Sequence, residues 1–283
     1  MSFGVFALVL FSAITHALWN FFARVVKGNV AVLWVALLIA SAACFPFTLL
    51  RGGWSAEALA QAYPYMIATG IIHAFYFRLL AWCYERGEIS VVYPIARGSG
   101  VAGASLLAYF LMGEQISLFG GIGVSMVCIG TILVGFSGTA SKRFGARVGI
   151  LALSVGATIS IYSLVDKGGV QLIDPVNYIF ALFFLASLFL SPYIIARHRR
   201  TLPGALKNLK RYSLLIGLGS IGTYLVILFA FQIEKVSYVV AVREFAVVIG
   251  ALLGLTLLKE RLFAKKIFGI LAITAGMILI KLA

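Results

Sequence analysis

The chain has 283 residues, 62% of them hydrophobic and 11% charged, with a mean hydropathy of +1.06. A soluble domain carries about 25% charged residues, so this composition excludes a soluble globular enzyme and predicts an all-α integral membrane protein. The net charge of +14 is read as membrane topology and attraction to anionic lipid headgroups, with no nucleic-acid partner.

In chain order, apolar stretches predict ten transmembrane helices near residues 3–23, 29–49, 63–84, 90–112, 118–136, 148–166, 174–195, 212–231, 236–258 and 265–282. Each is close to the roughly twenty residues that cross a hydrocarbon core. The first stretch lacks a basic leading region and a small-residue cleavage site, so it is expected to be a retained span and not a signal peptide. The breaks carry charge or turn residues, among them Lys27-Gly28, Glu85-Arg86-Gly87, Gly113-Glu114 and Lys259-Glu260-Arg261. Residues 197–211 are expected to form a basic loop, and no stretch suits a soluble domain. Cys44, Cys83 and Cys128 fall inside predicted spans, where small apolar fillers are expected and not a disulfide or metal set.

The two halves repeat. Arg97 and Arg243, Glu114 and Glu260, Gly123 and Gly269, and Gly130 and Gly276 all stand 146 residues apart. This defines a first repeat at 1–137 and a second at 146–283, joined by a loop at 138–145. Five spans per repeat is an odd number, so the second unit is expected to cross the membrane in the opposite sense to the first. Such inverted repeats expose a central site alternately to either side. Sixteen Lys/Arg residues, including Arg24, Lys27, Arg86, Lys142, Arg197, Arg200 and Arg211, follow odd-numbered spans. Only Arg51, Lys167, Lys235 and Lys281 lie on the other side. The positive-inside bias places the sixteen in the cytoplasm and both termini on the non-cytoplasmic side.

Few polar residues fall within the spans: His16, Asn20, His73, Arg78, Arg97, Arg243 and Glu244, with Asp166 near a helix end. An arginine near the bilayer centre costs at least about 2.5–3.5 kcal/mol, so two at matching positions point to use. Arg243 and Glu244 are adjacent and diverge by about 100° on a helix. Glu244 is therefore expected to reach another helix, toward Arg78, Arg97 or His16. At least one arginine remains without a protein anion, and a guanidinium suits a carboxylate or phosphate. The expected substrate contacts are Arg97 and Arg243, with Tyr93 one turn before Arg97, His16, Trp19 and Asn20 on the first helix, His73, Tyr76 and Phe77 on the third, Tyr162 on the sixth and Tyr224 on the eighth. Glu244, His16 and His73 are candidate proton carriers. Pro94 can kink the fourth helix, and Gly250 with Gly254 forms a GxxxG in the ninth, where helices can approach closely. Glu114 and Glu260 stand just before new helices, where a carboxylate meets exposed N–H groups, which is a structural role. No HExxH, GxSxG or phosphate-binding glycine loop occurs, so no catalytic residue, cofactor or metal is expected.

These features resemble the drug/metabolite transporter superfamily, EamA type. The resemblance is carried by Thr15-His16-Ala17-Leu18-Trp19-Asn20 in the first helix, Tyr93-Pro94 opening the fourth, and Glu114 and Glu260, each followed by a glycine-bearing span. It implies ten helices around a central cavity and export of amino acids or other metabolites, with relatives that move nucleotide sugars, sugar phosphates or cations. The resulting expectation is a secondary carrier in a bacterial inner membrane that exports a small zwitterionic or anionic metabolite, foremost an amino acid. The alternatives are a carrier for a phosphorylated or phosphonate compound and, in another class, a lipid scramblase or non-transporting subunit. Expected partners are the substrate, the lipid bilayer and protons, in a monomer or weak dimer.

Overall fold

The computed structural model describes residues 1–26, 29–51, 54–86, 89–137, 145–257 and 263–283. Those residues form helices and turns, with no strand among them. The helices are α1 (Phe3–Val25), α2 (Val30–Leu50), α3 (Ala56–Arg86), α4 (Ile89–Met112), α5 (Leu118–Gly135), α6 (Ala146–Val170), α7 (Pro175–His198), α8 (Leu202–Ile233), α9 (Val236–Val242), α10 (Phe245–Leu257) and α11 (Ala264–Leu282). Nine stretches among the described residues are long and apolar enough to cross a membrane, α9 and α10 counting as one. The 19-residue α11 carries lysines at both ends, Lys265, Lys266 and Lys281. Leu, Ile and Phe side chains cover the outside, as lipid contact requires, and small and polar residues turn inward.

Several features differ from expectation, and α3 begins at Ala56 where residue 63 was expected. The basic stretch 197–211 is not a loop, because only residues 199–201 turn and α8 starts at Leu202. Leu202, Ala205, Leu209 and Tyr212 recur every three to four residues and pack against the core, while Lys207, Lys210 and Arg211 stay exposed. That is the pattern of an amphipathic helix. Pro94 lies within an unbroken α4. The interruption falls in the equivalent ninth span, between Val242 and Phe245, where no proline stands.

The helix contacts of the two halves match one another. α3 packs on α6 and α7 as α8 packs on α1 and α2, and α4 meets α6 as α10 meets α1. α5 and α11 pair with each other. At their crossing a Cβ on Gly123 or Gly130 would sit 2.6 Å from the carbonyl oxygen of Gly276 or Gly269, respectively. The contact is reciprocal, 2.6 Å from Gly276 to Gly123 and 2.7 Å from Gly269 to Gly130. The rising and falling numbers make the two helices antiparallel. Gly100 and Gly156 bring α4 and α6 together, where Ser160 donates to the Gly100 carbonyl at 3.0 Å. Gly250 does not serve this way, since a Cβ there would meet nothing within 4 Å. Its surroundings leave room where a packing motif would be filled.

Glu114 is a cap, for a helix far along the chain. Gly113 takes the left-handed φ of +66°, and the Glu114 N–H turns back to the Ala108 carbonyl at 3.1 Å. The carboxylate then accepts the Val236 N–H, the Ser237 N–H at 3.2 Å and the Ser237 hydroxyl at 2.7 Å, closing the first turn of α9. The helix that follows Glu114 in sequence, α5, is capped by Ser117. Glu260 lies outside the described residues. Cys44 and Cys83 are buried, Cys128 is half-buried, and none is bridged.

Candidate substrate cleft

α1, α2, α3, α6, α7 and α8 surround a cleft, and the α9–α10 break contributes Arg243 to its wall. The apolar floor comes from Leu33, Leu37, Leu182, Phe183 and Ile216. Polar and aromatic side chains form the rest: His16 and Trp19, His73, Tyr76 and Phe77, Tyr162, Ser220, Thr223 and Tyr224. The rings hold one another in place. His73 stacks on Tyr162 at 4.4 Å between centroids, Tyr76 meets Tyr162 edge-on at 5.8 Å, and His16 meets Trp19 edge-on at 5.0 Å. Edge and offset contacts of this kind add to burial and fix ring orientation.

The break in the ninth span sets the charges. Arg243 closes α9 with its N–H on the Val239 carbonyl at 3.1 Å, and Ala246 reaches back to the Arg243 carbonyl at 3.2 Å. Glu244 leaves this turn toward α4 and clasps Arg97 with both oxygens, Nη2–Oε1 at 2.5 Å and Nε–Oε2 at 3.2 Å. The two side chains are 2% and 1% exposed, so each buried charge is neutralised by the other. The Arg97 guanidinium also lies 5.9 Å from the centre of the Tyr93 ring.

Arg243 has no such partner among the described residues. It is 1% exposed, donates to the Tyr162 hydroxyl at 3.3 Å and lies 6.0 Å from the centre of the Tyr224 ring. Its Nε finds no acceptor among the described residues, and neither does the indole N–H of Trp19 on the same cleft wall. Buried donors are almost always bonded, so these two mark a place where an acceptor belongs.

Of the residues expected at the site, the cleft gathers His16, Trp19, His73, Tyr76, Phe77, Tyr162, Tyr224 and Arg243. Arg97 and Tyr93 sit apart from it, because the arginine is held by Glu244 and the ring lies beside the arginine. Asn20 also stands off the wall, its amide donating to the His16 carbonyl at 2.8 Å. Glu244 is engaged as an ion-pair partner, which leaves it poorly placed to carry protons. Arg78 is exposed, 4.5 Å from the centre of the Tyr193 ring. Sequence reasoning missed Ser220 and Thr223, two small hydroxyls one turn apart on α8. It placed Asp166 near a helix end without a role at the site; its place beside Tyr224 is described below.

A family model described as the EamA-like transporter family matches residues 147–282. The match lies in the second half of the chain, from α6 to α11. That match indicates a membrane transporter of the drug/metabolite type. A solved crystal structure of a protein superposes on this chain with a TM-score of 0.78. At 15% identity the match covers 98% of this chain and 95% of that one. It shows a shared fold that extends over the first half, beyond the residues matched by the family model. No curated protein matches the sequence.

Proposed function

We propose that this protein is an EamA-like transporter, a secondary carrier for a small zwitterionic or anionic metabolite, foremost an amino acid, with Arg243 as the seat of its carboxylate. The observation that carries the reading is the buried Arg243 guanidinium, which lines the cleft without a carboxylate partner among the described residues. Burying an unbalanced cation costs several kcal/mol, and a ligand carboxylate removes that cost through charge-assisted bonds. The Trp19 N–H supplies a second donor. The faces of Tyr76, Tyr162 and Tyr224 suit an ammonium or an aromatic body.

One guanidinium balances one negative charge. With Arg97 held by Glu244, a doubly charged phosphate ester meets only half the compensation it needs, which favours the carboxylate over the phosphorylated substrate. The antiparallel, reciprocal contact of α5 with α11 supports two repeats of opposite membrane sense, at 1–137 and 146–283. Rocking one against the other gives alternating access. We assign both termini to the outer side from the lysine and arginine bias, and the bacterial inner membrane and export from the family resemblance.

A thermal-shift series on the purified protein tests the substrate class. L-phenylalanine, L-tryptophan and L-leucine are compared with glycerol 3-phosphate, a phosphonate and spermidine. A ligand at one hundred times its Kd stabilises by about 2.7 kcal/mol. Stabilisation by the amino acids that vanishes in Arg243→Ala supports the reading. Stabilisation by the phosphate ester alone replaces it with the organophosphate carrier. No shift from any compound, together with lipid flip-flop in proteoliposomes, replaces it with a scramblase.

A further inference from the structure

Asp166 is fully buried, and nothing in the carboxylate seat uses it. Its Oδ1 accepts the Thr69 hydroxyl of α3 at 2.5 Å and the Tyr178 hydroxyl of α7 at 2.9 Å, and its Oδ2 accepts the Tyr224 hydroxyl of α8. Three other helices thus converge on one carboxylate, and all three donors are neutral. The charged neighbours face elsewhere. Lys167 on the same helix turns to the Phe231 carbonyl and to the Glu234 carbonyl at 3.0 Å. Arg243, at the α9–α10 break, stands across the Tyr224 ring. From α3, His73 bonds through Nδ1 to Thr69 Oγ1 at 2.9 Å and not to the carboxylate itself. The remaining titratable groups nearby are phenols, Tyr65 of α3, whose carbonyl oxygen lies 3.5 Å from the Tyr178 hydroxyl, and Tyr162 of α6.

A buried carboxylate with hydroxyl donors but no cation is unlike a structural ion pair. Within a membrane such groups lie on proton paths, because taking up one proton cancels the desolvation cost. Two of its contacts lead to the cleft. Tyr224 and His73 both line that wall, so Asp166 is one hydrogen bond from the cleft through Tyr224 and two through His73 and Thr69.

We infer that Asp166 is a proton-binding site that exchanges with the cleft through Tyr224 and through the His73–Thr69 pair. On the first route the Tyr224 hydroxyl gives its proton to Oδ2 and takes one from the cleft. On the second, Thr69 gives its proton to Oδ1 and takes one from Nδ1 of His73, whose ring is reprotonated from the cleft. In each case Asp166 alone gains a proton, and reversal returns it. This rests on the carrier reading, to which it adds the coupling ion. It places that ion on a residue distinct from Glu244, whose charge Arg97 already balances.

The test is an infrared pH titration of the protein in proteoliposomes, without substrate. A protonated carboxyl C=O band is expected to appear as pH is lowered and to be missing in Asp166→Asn. Tyr224→Phe removes one donor to the ionised form, so the band should persist about one to two pH units higher. That variant keeps the question answerable if Asp166→Asn does not fold. A carboxylate that only ties helices together stays ionised and shows no band, or stays protonated and shows one that ignores pH. Either result overturns the inference, as does a titrating band that both variants leave unchanged. No ligand is involved, so failure here is distinguishable from failure of the Arg243 seat, which is read from ligand-induced stabilisation.

Discussion

Arg97 and Glu244 are bound to each other across the two halves of the chain, and the repeat supplies no mirror image of that pair. Arg97 corresponds to Arg243, 146 residues on, and by the same offset Glu244 corresponds to Gly98. The first half therefore offers a glycine where a carboxylate for Arg243 would stand. The two matched arginines thus have one acid beside them, Glu244, and Arg97 holds it.

Removing one member of the buried pair should be costly. Arg97→Ala or Glu244→Ala leaves an uncompensated charge and is expected to lower stability by about 3–5 kcal/mol. The double substitution Arg97→Leu with Glu244→Leu should recover most of that loss. Thermal unfolding in detergent, combined in a double-mutant cycle, measures both.

Arg243 should behave in the opposite way. Arg243→Ala removes an unbalanced buried cation, so the protein is expected to keep or gain thermal stability while ligand affinity falls about ten- to a hundredfold, the worth of one charge-assisted bond. Arg243→Lys keeps the charge and loses the planar fork, so affinity should fall between the two. Ligand titration by thermal shift reads affinity and stability in one experiment.

The α5–α11 crossing should not tolerate volume. Gly123→Ala and its repeat partner Gly269→Ala each push a methyl group into a facing backbone, at an expected cost of about 1–3 kcal/mol. Gly250→Ala, with open space around it, should stay within about 0.5 kcal/mol of the parent. Unfolding midpoints of the three variants in one detergent make the comparison.

Glu114→Ala leaves the first N–H groups of α9 without their acceptor and should cost about 1 kcal/mol, the usual worth of a helix cap. Glu114→Gln retains one acceptor oxygen and should cost less. Hydrogen exchange at Val236 and Ser237, faster in the alanine variant, locates the effect.

Much of this was legible in the sequence because lipid enforces a simple rule. Apolar stretches of the right length had to be helices, and polar residues inside them had to face inward. His16, His73, Tyr162, Tyr224 and Arg243 meet at the cleft for that reason. Helix rotation was not legible. It decides that Glu244 finds Arg97 rather than His16 or Arg78, and that Tyr93 follows Arg97 away from the wall. Asp166 stands near the end of an apolar run, where a carboxylate reads as a boundary residue. Only the arrival of Thr69, Tyr178 and Tyr224 from three other helices shows it to be interior. The start of α8 was hidden by its own lysines, whose density reads as a loop until their spacing is set against Leu202, Ala205 and Leu209.

The interrupted ninth span has no counterpart in α4, although proline stands in the intact helix and not in the broken one. A device made of two interchangeable parts would open equally well toward either compartment, like a balance with equal arms. A joint in just one arm makes the inward-facing and outward-facing shapes chemically different objects. For a carrier of the kind proposed, that difference weights the resting poise, and with it the preferred traffic, through the backbone at residues 243 and 244.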